Sequence, residues 1–583
     1  MKDSLSKIEL TYLPEFDRNF FEKDKDFTSI GKGALGGKAA GLAFIKKALV
    51  ERIKKEDFPQ IDIRIPRLTV IRTDVFDAFM ERNSLFDIAY SDEPDERIAH
   101  AFLNADLPAE IVGDLRFLIM GVTQPLAVRS SSLLEDAKFE PFAGVYATKM
   151  ISNNEPEINE RFQKLTEAIK FVYASAFFAS SKNYCRGTSN SIKDEKMALV
   201  IQEVVGRKGY ERFYPEISGV ARSYNYYPSG RCKPEHGVVS LALGLGKTIV
   251  DGGICWSYSP VVPKCPPPFG DPQDQLKNTQ REFWAVNMNR SIQYDPVNET
   301  EFLIKGSLED ADYDSMLSHS ASTYISSSGK FVPGVGNDGP RLMNFAPLLG
   351  LNEYKYNDFI KVLLKTCEET FNSPVEIEFA INFNRESDIL EFGFLQVRPM
   401  VVSNELVEIT EAEMSGESVI ASSDKSLGNG HENNITDIIF VKPELFNKKN
   451  TPLIAAELKG INRKFAGMNK VYLLIGFGRW GSTDPWLGIP VEWGDISKAK
   501  VIVESTLPEM NVELSQGSHF FHNITSFGVK YLSLNYDGNY KINWNLINSQ
   551  DVIEEKNFIK HIRFKNPLNI KFDGRNGKGI ISL

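Results

Sequence analysis

Polar and charged side chains crowd the stretch LAVRSSSLLEDAKFEPFAGVYATKM, residues 126–150, between two apolar runs that are typical of strands. Arg129 offers a rigid fork of hydrogen-bond donors that suits phosphate oxygens, and the three serines after it add hydroxyl and backbone donors. Lys38 lies where the glycine-rich stretch LGGKAAGL meets a predicted helix start, a position that binds anions. These residues together predict a site for phosphate groups.

A second group of candidate residues lies in PVEIEFAINFNRESDILEFGFLQVRPM, which predicts a β-hairpin with its turn at residues 384–388. Glu376 and Glu378 are two positions apart, so they face the same side of one strand, as Gln396 and Arg398 do on the other. Such a face could hold magnesium and triphosphate together. Taken singly, each group also fits ordinary structure, a turn around Arg129 and a solvated cross-strand salt bridge in the hairpin.

The elements that must position these residues follow from apolar periodicity. A strand at 67–72 is expected to lead into a helix capped by Thr73 or Asp74. Residues 41–54 predict a helix, 155–184 one long helix or a helix pair, and the runs from Met197 and in GVVSLALGLG predict strands. The polar region 271–328 predicts only short elements. The mixture indicates an α/β (α+β) protein.

Length, charge and cysteine usage bound the class of protein. A chain of 583 residues predicts two or three domains, and 42% hydrophobic with 25% charged residues is typical of globular proteins. A net charge of −10 argues against a nucleic-acid partner. Five scattered cysteines suggest reduced thiols, and no apolar run predicts a signal core or membrane span. We therefore expect a cytoplasmic protein with no membrane partner.

Two glycine-rich stretches resemble nucleotide fingerprints without completing them. A dinucleotide fold requires a buried strand before GKGALGG and an acidic residue about 20 positions later on a second strand. KDKDFTSI is a poor candidate for the first strand, and residues 54–57 are predicted to be charged and helical. GLGKT, at 244–248, resembles the end of a P-loop, but Leu241 stands where the first glycine is needed. Neither pattern predicts a phosphate site by itself.

Seven stretches, in this order, resemble the N-terminal nucleotide-binding domain of pyruvate phosphate dikinase and phosphoenolpyruvate synthase, an ATP-grasp-like domain. They are LGGKAAGLAFI, IPRLTVIRTDVFDAFM, VRSSSLLEDAKFEPFAG, ALVIQEVVG, ISGVARS, LGLGKTIVDGG and VEIEFAIN with GFLQVRPM, across about residues 28–402. The resemblance implies ATP and Mg²⁺ as cofactors. It also implies ATP-dependent phosphoryl transfer, in which positive side chains stabilise the charge of the transferred group.

The resemblance also implies a role for each matching residue. Lys38, Arg129 and Arg398 would contact the ATP phosphates, and Glu378 and Gln396 would hold magnesium. The adenine slot and the phosphate-side loops would be formed by Gln202, Glu203, Val204, Gly144 and Ser223. The chain departs from the family pattern at Lys247, where an acidic residue is usual, and at Arg222 and Tyr224, which puts the ribose and β/γ-phosphate contacts in doubt.

The resemblance and the composition together predict four segments. Residues 1–27 form an N-terminal extension, 28–402 the ATP-grasp-like domain, 403–434 a linker rich in Ser, Gly, Glu and Asn, and 435–583 a smaller α/β domain of unknown role. The last segment is too short for both the phosphohistidine domain and the pyruvate-binding barrel of full dikinases, since such a barrel takes about 250 residues. We therefore expect an acceptor other than pyruvate.

Two stretches of the C-terminal segment are candidates for the second half of a reaction. LLIGFGRWGSTDPWLGIPVEWG brings Arg479, Asp484 and three tryptophans together, either as an acceptor pocket or as a glycine-rich region packed by tryptophans. SQGSHFFHNITSFGV has the Ser-His and Gly-Val spacing of the family's phosphohistidine loop, which would make His519 catalytic. An ordinary core or hydrogen-bonding histidine is the alternative for His519, with His522 as a partner or a neighbour.

These observations favour a dikinase-like phosphotransferase that moves phosphate from Mg-ATP to an unidentified acceptor, with Arg129, Arg398 and His519 as catalytic residues. Two other functions remain open: an ATP-grasp ligase that forms an acyl phosphate, and a nucleotide-sensing regulatory protein whose catalysis has decayed. A homodimer, or a separate partner domain that supplies the missing relay, is also compatible with the sequence.

Overall fold

The computed structural model describes most of the chain in several continuous stretches. These are residues 13–17, 26–132, 144–187, 191–226, 232–263, 275–276, 279–290, 292–352, 354–400, 407–468, 470–482, 484, 486–509, 527–574 and 576–583. Across these stretches, every helix is too short or too polar to cross a membrane.

The first sheet has five strands in the order β1-β3-β6-β4-β5. They are β1 (Phe27–Ile30), β3 (Leu68–Ile71), β4 (Leu126–Ser132), β5 (Thr148–Ile151) and β6 (Met197–Glu203). Helices cover the face that carries Val128 and Ile201. They are α2 (Thr73–Arg82), α3 (Phe86–Tyr90), α4 (Asp95–Leu103), α5 (Ala109–Gly121), α6 (Ile158–Ser175) and α7 (Ala179–Gly187). The expected strands near 67–72 and from Met197 are confirmed, and 155–184 forms a helix pair.

The second sheet has six strands in the order β11-β10-β9-β17-β18-β2. They are β2 (Ile61–Arg64), β9 (Ile217–Arg222), β10 (Val238–Ala242), β11 (Trp256–Tyr258), β17 (Val375–Asn384) and β18 (Ile389–Pro399). Helices α1 (Gly37–Arg52) and α11 (Tyr356–Phe371) pack against it. The hairpin of β17 and β18 and its turn are confirmed, and the register of the two strands shifts between Glu378 and Phe379.

Two smaller sheets fill the region that predicted only short elements. One has the order β13-β12-β8-β7 and the other β15-β14-β16. Their strands are β7 (Arg207–Lys208), β8 (Arg212–Tyr214), β12 (Glu282–Asn287), β13 (Leu303–Ser307), β14 (Ala321–Ile325), β15 (Lys330–Pro333) and β16 (Arg341–Met343). The accompanying helices are α8 (Lys247–Val250), α9 (Leu308–Tyr313) and α10 (Ala346–Leu351). Helix α8 is the single turn that follows the glycines after β10.

The C-terminal unit is built on a seven-stranded sheet in the order β20-β27-β26-β23-β22-β29-β28. Its strands are β20 (Ser426–Leu427), β22 (Asp437–Val441), β23 (Tyr472–Phe477), β26 (Ala499–Ser505), β27 (Lys530–Leu534), β28 (Asp551–Glu555) and β29 (Ile559–Arg563). Strands β22, β23, β26 and β27 are parallel. The strands β24 (Arg479–Trp480) and β25 (Gly488–Ile489) form a separate pair.

A four-stranded sheet covers one face of the seven-stranded sheet, and helices cover the other. The four-stranded sheet has the order β19-β31-β30-β21, with β19 (Val419–Ser423), β21 (Asn429–Glu432), β30 (Asn569–Asp573) and β31 (Lys578–Ser582). The remaining helices are α12 (Glu411–Met414), α13 (Thr451–Gly467), α14 (Trp493–Ile496) and α15 (Trp544–Asn548). The α/β character expected of this unit is confirmed.

The predicted linker 403–434 is wrong over its second half. Residues 419–432 form β19, β20 and β21, which pair with β31, β27 and β30. The segment belongs to the C-terminal unit because its backbone groups are bonded within those sheets and because Ile420 and Ala421 are buried in the core of that unit.

The two units share a hydrophobic core. Side chains of α13, α14 and the seven-stranded sheet cluster with those of α2, α6 and α7. Trp493 stacks on Phe527, with ring centroids 5.1 Å apart, and Tyr184 of α7 lies 5.8 Å from the same phenylalanine ring. Arg479 donates a buried 2.7 Å hydrogen bond to the carbonyl of Gly252, just after α8. The C-terminal unit is thus docked beside the glycine-rich segment of the second sheet.

Candidate functional site

The glycine-rich loop before α1 is held by side chains from the start of α2. Asp74 accepts the N–H groups of Lys32 and Gly33, both at 2.8 Å, and the Thr73 hydroxyl accepts the N–H of Ala34 at 2.9 Å. The helix N-cap is Arg72, which makes no side-chain capping bond. The predicted capping role of Thr73 and Asp74 is therefore wrong, since these side chains bind the distant loop instead.

Gly36 allows this loop to contact strand β4. Its φ is 74°, and a Cβ atom there would lie 1.4 Å from the Ser131 carbonyl oxygen. No other residue fits such an approach. The contact brings the first turn of α1 over β4, where the Lys38 ammonium donates to the carbonyl (3.1 Å) and the hydroxyl (3.2 Å) of Ser130.

Arg129 connects the first sheet to the second. Its Nη2 donates to Oε1 of Gln396 at 2.6 Å and to Oε2 of Glu378 at 3.1 Å, and its Nη1 donates to the Leu395 carbonyl at 3.4 Å. The side chains of Arg129 and Glu378 are only 15% and 13% exposed. The structure thereby brings Arg129, the candidate phosphate ligand on β4, into contact with Glu378 and Gln396, the candidate magnesium ligands on the hairpin. These residues lie far apart in the sequence.

Glu378 and Gln396 lie directly opposite each other on β17 and β18. Their carboxylate and amide oxygens are the hard ligands that Mg²⁺ prefers, and both already contact a cation, the Arg129 guanidinium. Two protein oxygens suit Mg²⁺, which usually keeps several waters and phosphate oxygens in its shell. Across the part of the chain that the structure describes, no group of three or more His, Cys, Asp or Glu side chains could hold a metal ion.

A buried ion cluster lies one step along the same face. Arg398 Nε donates to Glu376 Oε1 at 2.8 Å, and Arg222 Nε donates to Glu376 Oε2 at 2.6 Å. Burial opposes ionisation of Glu376, but the two guanidinium groups lower its pKa below the ordinary value. The buried Nη2 of Arg222 has no hydrogen-bond partner among the described residues. Arg222 and Arg398 share the single carboxylate of Glu376, and Nη2 of Arg222 has no partner among the described residues, so the cluster suits an additional anion.

The predicted adenine-slot residues point in two directions. Gln202 pairs with Ala127 and so faces the same side of the sheet as Arg129, and its buried Nε2 has no hydrogen-bond partner among the described residues. Val204 packs in an apolar cluster with Met150 and Leu245. Glu203 instead lies 3.8 Å from Arg67, where burial raises its pKa. Gln202 and Val204 are thus available to a base, whereas Glu203 lies beside Arg67.

The remaining predicted residues are placed less directly. Gly144 is exposed, with a φ of 71°. The Ser223 hydroxyl accepts the N–H of Val375 at 2.9 Å, so it joins β9 to β17. His519 and His522 lie outside the described residues, which end at 509 and resume at 527.

The candidate acceptor segment divides into buried and exposed parts. Trp480 and Trp493 are buried in packing, and Arg479 donates to the Gly252 carbonyl. Asp484 accepts the N–H of Trp486 within its own turn, and Trp486 is 59% exposed. The burial of two of the three tryptophans favours the packing alternative.

Sequence reasoning missed two groups at the edge of the site. Glu299 Oε1 accepts the N–H of Thr148, the residue opposite Arg129 on β5, at 3.2 Å. Lys247 was noted only as a departure from a pattern, and its Nζ lies 2.9 Å from Asp251. Glu299 gave no signal because it lies in a polar, weakly periodic region.

Comparisons with known proteins identify the family to which this chain belongs. The model of the family described as pyruvate phosphate dikinase, AMP/ATP-binding domain, matches residues 32–418. Phosphoenolpyruvate synthase of Aeropyrum pernix is 25% identical over 414 residues, 66% of this chain and 43% of that protein. The uncharacterized phosphotransferase YvkC of Bacillus subtilis (strain 168) is 26% identical over 193 residues, 33% of this chain and 20% of that protein. This chain spans less than half the length of either relative. Because the family model covers more than half of the chain, the protein belongs to the pyruvate phosphate dikinase AMP/ATP-binding domain family.

Proposed function

We propose that this protein is an ATP-dependent phosphotransferase that binds Mg-ATP between its first and second sheets. The observation that carries the proposal is the reach of Arg129 from β4 to Glu378 and Gln396. This contact supports the proposal because it joins a guanidinium suited to phosphate oxygens to a carboxylate and an amide oxygen suited to magnesium.

In the proposed complex the protein positions the phosphates and balances their charge. Lys38 and Arg129 donate to phosphate oxygens, while Glu376 fixes the orientation of Arg398 and Arg222. Glu378 and Gln396 would hold Mg²⁺, which neutralises charge on the transferred group when bound. Gln202 and Val204 would contact the base.

Product analysis tests the reaction class. The protein is incubated with ATP and MgCl₂ and with candidate acceptors, and the phosphorus-containing products are identified by ³¹P NMR. AMP with phosphate or pyrophosphate indicates dikinase chemistry, ADP with an acyl phosphate indicates a ligase, and ATP that binds without being consumed indicates a nucleotide sensor. We expect consumption of ATP.

Charge removal at Glu378 tests the magnesium pair. We expect Glu378→Gln to lower turnover far more than ATP affinity, because the metal matters most as charge develops on the transferred group. Glu391→Gln is the matched control, since Glu391 lies on the same sheet in an exposed pair with Arg64 at 3.6 Å. Normal turnover by Glu378→Gln would show that this carboxylate is only structural.

Calorimetric titration tests the phosphate cations. Arg129→Ala and Lys38→Ala are each expected to weaken ATP binding by about 1.5–3 kcal/mol, the usual value of a charge-assisted hydrogen bond. Lys47→Ala is the control, because Lys47 lies on the same helix with its side chain 81% exposed. Unchanged affinity in both variants would refute the assigned phosphate site.

The route to the acceptor is a separate proposal. We favour direct transfer to an acceptor held near the C-terminal unit, with a relay through His519 as the alternative. A relay predicts an acid-labile, base-stable label from radioactive ATP that disappears in His519→Ala while ATP binding persists. A label that survives in His519→Ala excludes this histidine, and ATP consumption without any label supports direct transfer.

A further inference from the structure

Thr148 and Glu299 form a polar pair that lies between Arg129 and the apolar cluster of Met150, Val204 and Leu245. Thr148 and Met150 are two positions apart on β5 and face the same side of the sheet. Met150 packs near Leu245 and Val204, whereas Thr148 lies opposite Arg129. A group held at Thr148 is therefore about one two-residue step, roughly 7 Å, from the apolar cluster.

Glu299 is such a group, and its position is fixed by its neighbours. Its carboxylate accepts the Thr148 N–H at 3.2 Å. The loop that carries it is fastened by a buried ion pair between Lys149 and Glu301 at 2.7 Å, and Lys149 also donates to the Pro296 carbonyl at 2.7 Å. Burial raises the pKa of Glu299 overall, although Lys247 and the Thr148 N–H act in the opposite direction.

Lys247 lies near Glu299, since each of the two side chains shifts the pKa of the other. It lies two residues after Leu245 at the start of α8, and its ammonium is 2.9 Å from Asp251. Its pKa is lowered by burial but raised overall by Asp251 and Glu299, so it stays charged. Glu299, a hydrogen-bond acceptor, and Lys247, a cationic donor, thus lie near each other.

We propose that Glu299 accepts hydrogen bonds from the ribose hydroxyls of the bound nucleotide and thereby selects ribonucleotides over deoxyribonucleotides. A base at Met150, Val204 and Leu245, with phosphates at Arg129, leaves the sugar beside Thr148 and Glu299. Lys247 acts as a positioning residue that keeps Glu299 ionised. The inference rests on the proposed function, because it assumes that ATP occupies this cleft.

The test compares the calorimetric affinities of ATP, 2′-deoxy-ATP and 2′,3′-dideoxy-ATP with magnesium present. The wild-type protein is expected to bind ATP about tenfold or more tightly than the dideoxy compound, since hydrogen bonds to a charged group are lost. Glu299→Gln and Glu299→Ala are expected to reduce that ratio to within about threefold while affinity for the dideoxy compound is unchanged. Glu309→Gln, at an exposed residue of α9, is the matched control.

The outcomes separate this inference from the proposed function. Tight ATP binding with no preference for ribose, or a preference that persists in both Glu299 variants, overturns the role of Glu299 and leaves the ATP site standing. No nucleotide binding by the wild-type protein overturns both. Unchanged affinity for the dideoxy compound shows that the variants are folded, and the conservative Glu299→Gln variant protects the test if Glu299→Ala does not fold.

Discussion

Glu376 offers the sharpest test of the electrostatic account of the cleft. Its side chain is 3% exposed and pairs with both Arg398 and Arg222. Glu376→Gln keeps the shape of the side chain but removes the carboxylate charge that the Arg398 and Arg222 guanidinium groups both contact. Breaking a buried pair in this way costs about 3–5 kcal/mol.

This cost translates into a measurable change in melting temperature. The entropy of unfolding is about 2.1 cal/mol/K per residue, which for the roughly 390 residues matched by the family model gives about 0.8 kcal/mol/K. We therefore expect scanning calorimetry to show a midpoint about 4–6 °C lower for Glu376→Gln. Adding Arg398→Met to this variant removes one of the two cations and is expected to recover part of the loss.

The control variant is Glu391→Gln, because Glu391 lies on β18 of the same sheet in an exposed pair with Arg64. Loss of such a surface pair costs at most about 1 kcal/mol, or about 1 °C on the same scale. If Glu376→Gln melts within about 1 °C of the control, the buried cluster does not carry the charge compensation that we assign to it.

Three further predictions concern other parts of the molecule. Gly36→Ala is expected to lower the melting temperature and weaken ATP binding, both measured by calorimetry, because its Cβ would meet the Ser131 carbonyl. Gly113→Ala is the control, because Gly113 has open space around it, and it is expected to keep the ATP affinity and to keep or raise the melting temperature. His561, Arg563 and Thr436 hold the pKa of Asp437 at about 2 against the opposing effect of burial. The Asp437 carboxylate therefore stabilises the protein fully above its unfolded pKa near 4, and this stabilisation is lost as the pH falls toward 2. The difference in unfolding free energy between wild type and Asp437→Asn, measured by urea unfolding, is expected to decrease over that range. Arg479→Ala loses its hydrogen bond to Gly252 and is expected to lower stability by about 1.5–3 kcal/mol; an unchanged melting curve contradicts this.

Local patterns were enough to predict the hairpin and much of the site. Alternating apolar residues predict both strands, but the register that starts at the turn would place Glu378 opposite Leu395. A shift of register between Glu378 and Phe379 makes Gln396 the partner of Glu378 instead. The polar turn between the two strands is a local pattern. The contact from Arg129 to this pair is a property of the tertiary fold, since it joins residues more than 240 positions apart. The sequence could identify Arg129, Glu378 and Gln396 as candidates but could not show that they contact one another.

The errors arose where long-range contacts decide the role of a polar side chain. Asp74 and Thr73 satisfy any helix-capping pattern, yet they bind a loop about 40 residues earlier. The strands within 419–432 pair with strands near residues 531 and 570–582, and no local pattern shows those partners. Glu299 is informative only after the buried pair of Lys149 and Glu301 places its loop beside β5.

The docking of the C-terminal unit limits how a phosphate could travel. A domain that moves between two distant sites must first leave its docked position, which here means breaking the hydrogen bond of Arg479 to Gly252 and separating Tyr184 from Phe527. If those losses total about 4 kcal/mol, the released form is populated about once per thousand molecules. Phosphate transfer that requires release of the C-terminal unit would then be slow. Transfer to an acceptor that reaches the cleft while the unit remains docked avoids that penalty.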